Sequence, residues 1–267
     1  MGRITPAVLS ARLRLAMRHP LSSLSADEIV AKALEHRVYA AWSGGRCSTV
    51  ALHLTLSQKP DIPVVFTNTG VEYPETVKYV RSMAKEWALN FHELKPETNF
   101  WAVVRVYGFP QLRGSGPPGR PRRPMCCKIL KEDPPTTFAR ENGLDGMITG
   151  IRAEESRARA LGIYQVGPCY YAKRDRFWKF HPVAVWSLKQ LMAYIEENKI
   201  PLNPLYEKGL KRVGCFPCTG FTQWREVLSK TKPRFYKWLN REYQKRKGEP
   251  TLWEFADDEG CRQGETE

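Results

Sequence analysis

The sequence predicts an α/β fold: a doubly wound, mainly parallel sheet of the adenine-nucleotide-binding kind, with helical extensions at its N- and C-terminal ends. Three observations predict it. Short apolar runs at 38–42, 62–66, 91–94 and 145–151 read as strands. Stretches with a helical apolar rhythm separate them, and strands alternating with helices give a parallel sheet covered on both faces. Three runs end in small polar loops, Ser43-Gly44-Gly45, Thr67-Asn68-Thr69-Gly70 and Thr149-Gly150. Loops at the carboxyl ends of such strands are where these sheets bind ligands, so they are expected to converge on one site.

The elements follow in order. Ser25-Ala-Asp-Glu28 is a capping box opening a helix to about His36. The run 38–42 is a buried strand, and a helical pattern over 48–56 follows its glycine loop. The run 62–66 is a second strand. Pro74 begins a helix whose Val77, Val80, Met83, Ala84 and Trp87 share one face. Strands at 91–94 and 145–151 come next. A helix starts at Trp186-Ser-Leu-Lys189 and runs to about Asn198, followed by the proline-bound connector Ile200-Pro-Leu-Asn-Pro-Leu-Tyr206. Helices are expected over 223–229 and 233–247, the second with Phe235, Trp238 and Leu239 on a core-facing side. No internal repeat is visible.

Composition bounds the function. The 267 residues are 42% apolar, enough for a substantial core. No apolar run reaches the roughly 18 residues of a membrane span, and the four arginines of 1–21 interrupt any secretory apolar stretch. A soluble, cytoplasmic protein without membrane partners is expected, as a homo-oligomer. The net charge of +14 points to a polyanionic partner, either nucleic acid or a small nucleotide. From Thr98 to Lys131 there is no acidic residue, while Arg105, Arg113, Arg120, Arg122, Arg123, Lys128 and Lys131 all occur there. Glycine and proline keep 108–124 from forming a regular element. A second basic stretch, 230–247, follows a helical pattern, and 254–267 is acidic.

Four cysteines form two pairs, Cys126-Cys127 and Cys215-Phe-Pro-Cys218. Four thiolates hold zinc or an iron–sulfur cluster. Adjacent cysteines suit a single zinc ion poorly, because neighbouring side chains point apart, whereas a cubane offers iron corners set further apart. The metal reading therefore leans to iron–sulfur. The competing readings are buried thiols and disulfides. Cys169 reads as structural.

Ser43-Gly44-Gly45-Arg46-Cys47-Ser48 opens a helix. Its glycines let backbone approach a phosphate, the helix N-terminus favours an anion, the serines add donors and Arg46 adds charge. The Lys-Ser/Thr ending of a Walker A loop is absent.

At this point the chain resembles a known family. Residues 43–48 are similar to the S-G-G-K-D-S pyrophosphate loop of adenine nucleotide alpha-hydrolases (the PP-loop superfamily). Asn68-Thr-Gly-Val-Glu-Tyr-Pro-Glu-Thr76 resembles the T-G-x-x-F-P-E-T segment of its PAPS/APS reductase branch. Cys126-Cys127 with Lys131 resembles C-C-x-x-x-K, and Ile148-Thr-Gly-Ile-Arg152 resembles T-G-x-R. Asn203-Pro-Leu-Tyr-Glu-Lys-Gly209 and Gly214-Cys-Phe-Pro-Cys-Thr219 resemble N-P-L-x-x-x-G and G-C-x-x-C-T. The order matches over about 38–219.

The resemblance implies an adenine nucleotide bound by Ser43, Gly44, Gly45, Arg46, Ser48, Thr69, Gly70, Glu75, Gly150 and Arg152. It also implies a [4Fe-4S] cluster on Cys126, Cys127, Cys215 and Cys218, with Lys131 beside it holding the anionic group. Arg152 would face phosphate or sulfate, where a guanidinium bonds strongly; the alternative is an ion pair with Glu154 or Glu155. The expected organisation is a helical extension over 1–35, a nucleotide-binding domain with the cluster over 36–219, and a helical extension with an acidic tail over 220–267.

Two departures bear on function. Cys47 stands where many ATP-using members carry Asp, so the carboxylate that would manage Mg²⁺ around pyrophosphate is missing; Mg²⁺ is expected only if ATP is used. As a thiol at a helix N-terminus, Cys47 is also a candidate for a depressed pKa. The chain also lacks the reductases' E-C-G-L/I-H motif, whose Cys is the sulfur nucleophile. The nearest candidate is Cys261, beside Asp257, Asp258 and Glu259, whose charge raises a thiol's pKa. Three functions follow. The first is a sulfonucleotide reductase with Cys261, Lys131 and Arg152 as catalytic residues and thioredoxin or another thiol as reductant. The second is an ATP-dependent thiolation enzyme acting on tRNA or DNA. The third is a non-catalytic, cluster-bearing subunit or redox sensor that binds a nucleotide.

Overall fold

The computed structural model describes residues 24–111 and 124–245. Six strands form one sheet in the order β3-β2-β1-β4-β6-β5: β1 (Val38–Ala41), β2 (Val64–Thr67), β3 (Phe91–Leu94), β4 (Gly146–Thr149), β5 (Cys169–Ala172) and β6 (Phe177–Phe180). β1 runs parallel to β2 and β4, with Ala40 opposite both Val64 and Ile148, and β4 runs parallel to β6. Only β5, paired with β6, is antiparallel among the registered pairs, closing a hairpin at one edge. The doubly wound, mainly parallel fold expected from the sequence is therefore present. The hairpin is the addition, and Tyr170, Tyr171, Phe177 and Trp178 around a charged turn are its signal.

The helices are α1 (Ala26–Leu34), α2 (Arg46–Gln58), α3 (Pro74–Glu86), α4 (Phe100–Tyr107), α5 (Met125–Cys127), α6 (Asp133–Glu141), α7 (Arg157–Val166), α8 (Leu188–Glu197), α9 (Trp224–Thr231) and α10 (Pro233–Lys245). Ser25 and Glu28 form the expected capping box on α1, and Ser187 with Gln190 forms another on α8. α5 runs into α6 through a π-helical turn over Lys128–Glu132, where the Asp133 N–H reaches the Lys128 carbonyl. Pro134 and Pro135 follow at once. They supply no N–H and their rings crowd the carbonyls four residues back, so the ladder widens there.

The described chain divides into two compact units. One comprises 24–66, 75–93 and 137–213 and holds most of the sheet. Its core is built on Trp42, Phe66, Ile148 and Phe180, with a second cluster in which α2 and α8 pack Val50, Leu54, Leu191 and Ile195 against Val183. The other comprises 67–74, 94–111, 124–136 and 214–245, with its own core of Val71, Phe100, Val103, Leu130, Trp224, Leu228 and Leu239. No described helix is long and apolar enough to cross a membrane.

Candidate functional site

In the sheet unit, β1 delivers the chain into the loop 43–48 and α2 leaves it. The Ser48 hydroxyl donates to the Gly45 carbonyl at 2.9 Å, accepts from the Ser43 N–H at 3.3 Å and lies 3.0 Å from the Ser43 hydroxyl. Thr49 also donates to the Gly45 carbonyl, at 3.0 Å, and its oxygen accepts from the buried Trp42 indole. Gly44 has φ +70°, and a Cβ there would lie 2.8 Å from Val80, so only glycine makes this turn. The loop is thus cross-braced by its own hydroxyls, with no side chain on its backbone at Gly44 and Gly45.

The end of β4 closes against it. A Cβ on Gly150 would stand 2.3 Å from the carbonyl carbon of Cys47 and the nitrogen of Ser48. The Thr149 hydroxyl is bonded, at 2.7 Å, to Nδ1 of His181, which is buried. Burial first, and then the charge of Lys179, hold His181 down to about 4, so it is a neutral ring. Arg152 is buried. Its guanidinium bonds Glu154 and, at 2.9 Å, the Trp186 carbonyl, while its Nε has no hydrogen-bond partner among the described residues. Arg152 therefore makes the ion pair foreseen as the alternative, with one donor left over.

Cys47 lies beside this guanidinium, yet its thiol is pushed up, by burial first and then by Glu155. The direction is opposite to the depressed value considered for a thiol at a helix N-terminus: burial and Glu155 outweigh Arg152 and Arg46. Arg46 also differs from expectation. Its guanidinium stacks 4.3 Å from the centre of the Tyr206 ring and donates to the Lys211 carbonyl at 3.0 Å, so its charge is engaged away from the loop backbone.

Sequence reasoning missed the individual residues of 203–209 that hold the loop. Asn203 is buried and donates to the Gly44 carbonyl at 3.3 Å and the Thr76 hydroxyl at 3.0 Å. The Arg46 N–H donates to the Tyr206 hydroxyl at 3.0 Å, and Lys208 pairs with Glu75 at 2.8 Å. The N-P-L-Y-E-K-G string was the only signal.

The second unit gathers Thr69, Gly70, Lys131 and the four cysteines. Cys126, Cys127, Cys215 and Cys218 are free thiols, each half-buried. Cys126 is pushed up by its hydrogen bond with the Cys127 side chain, by burial, and by the nearby Cys218 and Cys215. Cys215 is pushed up to about 12 by burial and by Glu72, against a pull from Lys131. Glu72, which sequence reasoning passed over, is a buried carboxylate. It lies 3.5 Å from the Cys215 sulfur, accepts from the Thr69 hydroxyl at 3.1 Å and is 3.9 Å from the Lys131 ammonium. Gly70 turns the chain at φ +78°, its N–H donating to the Asn68 side chain at 3.1 Å. No three Cys, His, Asp or Glu among the described residues are grouped as ligands of one metal ion. Cys261, Arg113, Arg120, Arg122 and Arg123 lie outside the described residues.

Residues 37–221, which span the loop, the T-G-I-R turn and all four cysteines, match the phosphoadenosine phosphosulfate reductase domain. The chain belongs to the phosphoadenosine phosphosulfate reductase family. Within this family it is 32% identical to the phosphoadenosine 5′-phosphosulfate reductase of Vibrio campbellii, over 84% of this chain and 83% of that one. It is 29% identical to the enzyme of Xanthomonas campestris, over 83% and 88%. An uncharacterized protein of Methanocaldococcus jannaschii is 35% identical over 77% of this chain, which spans only 42% of that relative's length. Among solved structures, the Candida auris phosphoadenylyl-sulfate reductase superposes with a TM-score of 0.55 at 21% identity, covering 80% of this chain and 97% of that one. The U34-tRNA thiolase of Methanococcus maripaludis, solved with its [4Fe-4S] cluster, gives 0.50 at 15% identity, covering 85% and 80%. At these identities both show the shared fold.

Proposed function

We propose that this chain is a sulfonucleotide reductase, which binds adenylyl sulfate or its 3′-phosphorylated form and releases sulfite and AMP or PAP. The observation that carries the reading is the extent of the likeness: the Xanthomonas and Vibrio reductases align across 83–88% of both partners, not through a shared nucleotide loop alone. The loop agrees, since Cys47 offers no carboxylate for a Mg²⁺-pyrophosphate group. The glycine backbone of 44–45 and the start of α2 beyond Arg46 would take the 5′-phosphate, joined by the Ser43 and Ser48 hydroxyls as they turn from their bonds within the loop.

Cys126, Cys127, Cys215 and Cys218 would hold a [4Fe-4S] cluster. The donor set fits: four soft ligands fall in one unit, and at Cys126 and Cys215 burial and neighbouring charge oppose ionisation in a way that iron's positive charge would relieve. When bound, the cluster would supply a fixed centre of charge next to Lys131. Lys131 would hold the sulfo group by charge.

Cys261 is the proposed nucleophile. Its thiolate attacks the sulfur, the S–O bond to the phosphate breaks, and AMP or PAP leaves with the electron pair, giving a Cys–S–SO₃⁻ adduct. A dithiol reductant such as thioredoxin attacks the cysteine sulfur, expelling sulfite. Its second thiol closes a disulfide and frees Cys261, so two electrons pass from the dithiol to the sulfo sulfur.

A second reading is favoured by the charge of +14 and by α10, where Arg234, Lys237, Arg241 and Lys245 stand exposed around Trp238. This is ATP-dependent thiolation of tRNA or DNA. One product assay on anaerobically purified protein separates the two. Sulfite with AMP or PAP, lost in Cys261→Ser, is the expected result. AMP and pyrophosphate formed from ATP only with RNA or DNA present would establish thiolation instead. Absence of all turnover would leave a nucleotide-binding subunit.

A further inference from the structure

Tyr206 sits at the phosphate loop in a way its sequence position does not announce. Its hydroxyl oxygen accepts from the N–H of Arg46, the first residue of α2, at 3.0 Å. That amide is one of the helix-start donors that a bound anion would otherwise use. The hydroxyl is also 3.5 Å from where a Cβ on Gly45 would stand, so the bare loop makes room for it.

The phenol is held there firmly. Its ring carries the Arg46 guanidinium 4.3 Å from its centre, and that guanidinium is fixed in turn by the Lys211 carbonyl. Its backbone N–H donates to the Asn203 carbonyl at 3.0 Å, and the Asn203 side chain is tied to Gly44 and Thr76. Burial, first among the causes, pushes the phenol up from its ordinary value, so it remains protonated and is a donor. The phenol hydrogen has no acceptor among the described residues.

Three consequences meet at one loop. One helix-start amide is already satisfied, the Arg46 charge is drawn onto the ring, and Cys47 contributes no carboxylate for a metal. What remains is a small set of neutral donors suited to a single tetrahedral group. We propose that Tyr206 is a specificity-determining residue of the phosphate loop, donating its phenol hydrogen to the single 5′-phosphate of AMP or a 5′-phosphosulfate while denying the loop to the Mg²⁺-pyrophosphate end of ATP. This rests on the reading of 43–48 as the nucleotide's phosphate site.

The test is equilibrium binding by calorimetry on the full chain, with AMP, adenylyl sulfate and Mg²⁺-ATP each titrated into wild type and Tyr206→Phe. The Phe variant keeps the ring beneath Arg46 and loses only the hydroxyl. AMP and adenylyl sulfate are expected to weaken about fivefold to tenfold, the worth of one neutral hydrogen bond. ATP is expected to hold or tighten, so the preference for the single phosphate falls. An unchanged preference in Tyr206→Phe overturns the role of the phenol and leaves the reductase reading intact. Wild-type protein that binds none of the three overturns both. Without any variant, inorganic phosphate should displace AMP from wild type at lower concentration than pyrophosphate does, and the reverse order overturns the proposal.

Discussion

Glu72 sets its carboxylate 3.5 Å from the sulfur of Cys215, and the two residues also pair through an isolated antiparallel bridge. A buried carboxyl group is therefore locked beside a proposed cluster ligand, with the Lys131 ammonium 3.9 Å away. Charge next to a redox centre moves its potential in a defined direction: a lost cation disfavours the more negative, reduced state. Lys131→Met is expected to lower the midpoint potential of the iron-loaded protein and Glu72→Gln to raise it, read by a spectroscopic redox titration. Shifts of the same sign in both variants would remove the pair from the cluster's surroundings.

The cysteines carry a simpler prediction. Single Ser variants at Cys126, Cys127, Cys215 and Cys218 are each expected to lose iron and acid-labile sulfide. Cys169→Ser, in β5 and packed beside the sheet core, is expected to keep both. Full iron content in all four variants would end the cluster assignment.

Gly150 and Gly162 form an internal comparison. At Gly150 a methyl group would meet the backbone of Cys47 and Ser48 at 2.3 Å, and backbone cannot rotate away. Gly150→Ala is expected to cost at least about 2 kcal/mol, within the usual range of overpacking, and to weaken AMP binding because the loop itself must shift. Gly162 lies inside α7 with open space at its Cβ position. Gly162→Ala should gain about 0.5–1 kcal/mol from helix propensity alone. Denaturant melts of the two variants decide it, and equal stability would contradict the packing described.

What the sequence disclosed and what it hid divide along a physical line. Strands β1 and β2 were legible because they are apolar runs buried on both faces, and the loop 43–48 because its hydroxyls brace residues at most five apart. Tyr206, His181 and Glu72 act on partners 160, 32 and 143 residues distant, and no local pattern encodes such approaches. Arg46 shows the same limit from the other side. Its place in the loop is local, but the direction of its side chain is set by Tyr206 and Lys211. At Cys47 the helix start was visible and the burial that pushes its thiol up was not.

His181 carries the pH prediction. Its ring is buried, bonded to Thr149 and held down to about 4 from an ordinary 6.5, chiefly by burial and then by Lys179 and, more weakly, Arg159. Between those values the unfolded chain binds a proton that the folded chain refuses, so stability rises with pH there. The contribution is complete above about 6.5 and is lost as pH falls toward 4, each unit being about 1.4 kcal/mol and the whole about 3 kcal/mol. His181→Gln removes the titrating group and keeps a side chain able to bond Thr149. Its unfolding free energy is expected to fall less steeply than that of wild type between about pH 6.5 and 4.5, measured by denaturant titration at matched ionic strength. Since every carboxylate titrates alike in both proteins, the difference in slope isolates the imidazole. Parallel slopes would mean that His181 is not the neutral post beneath Thr149 that the geometry describes.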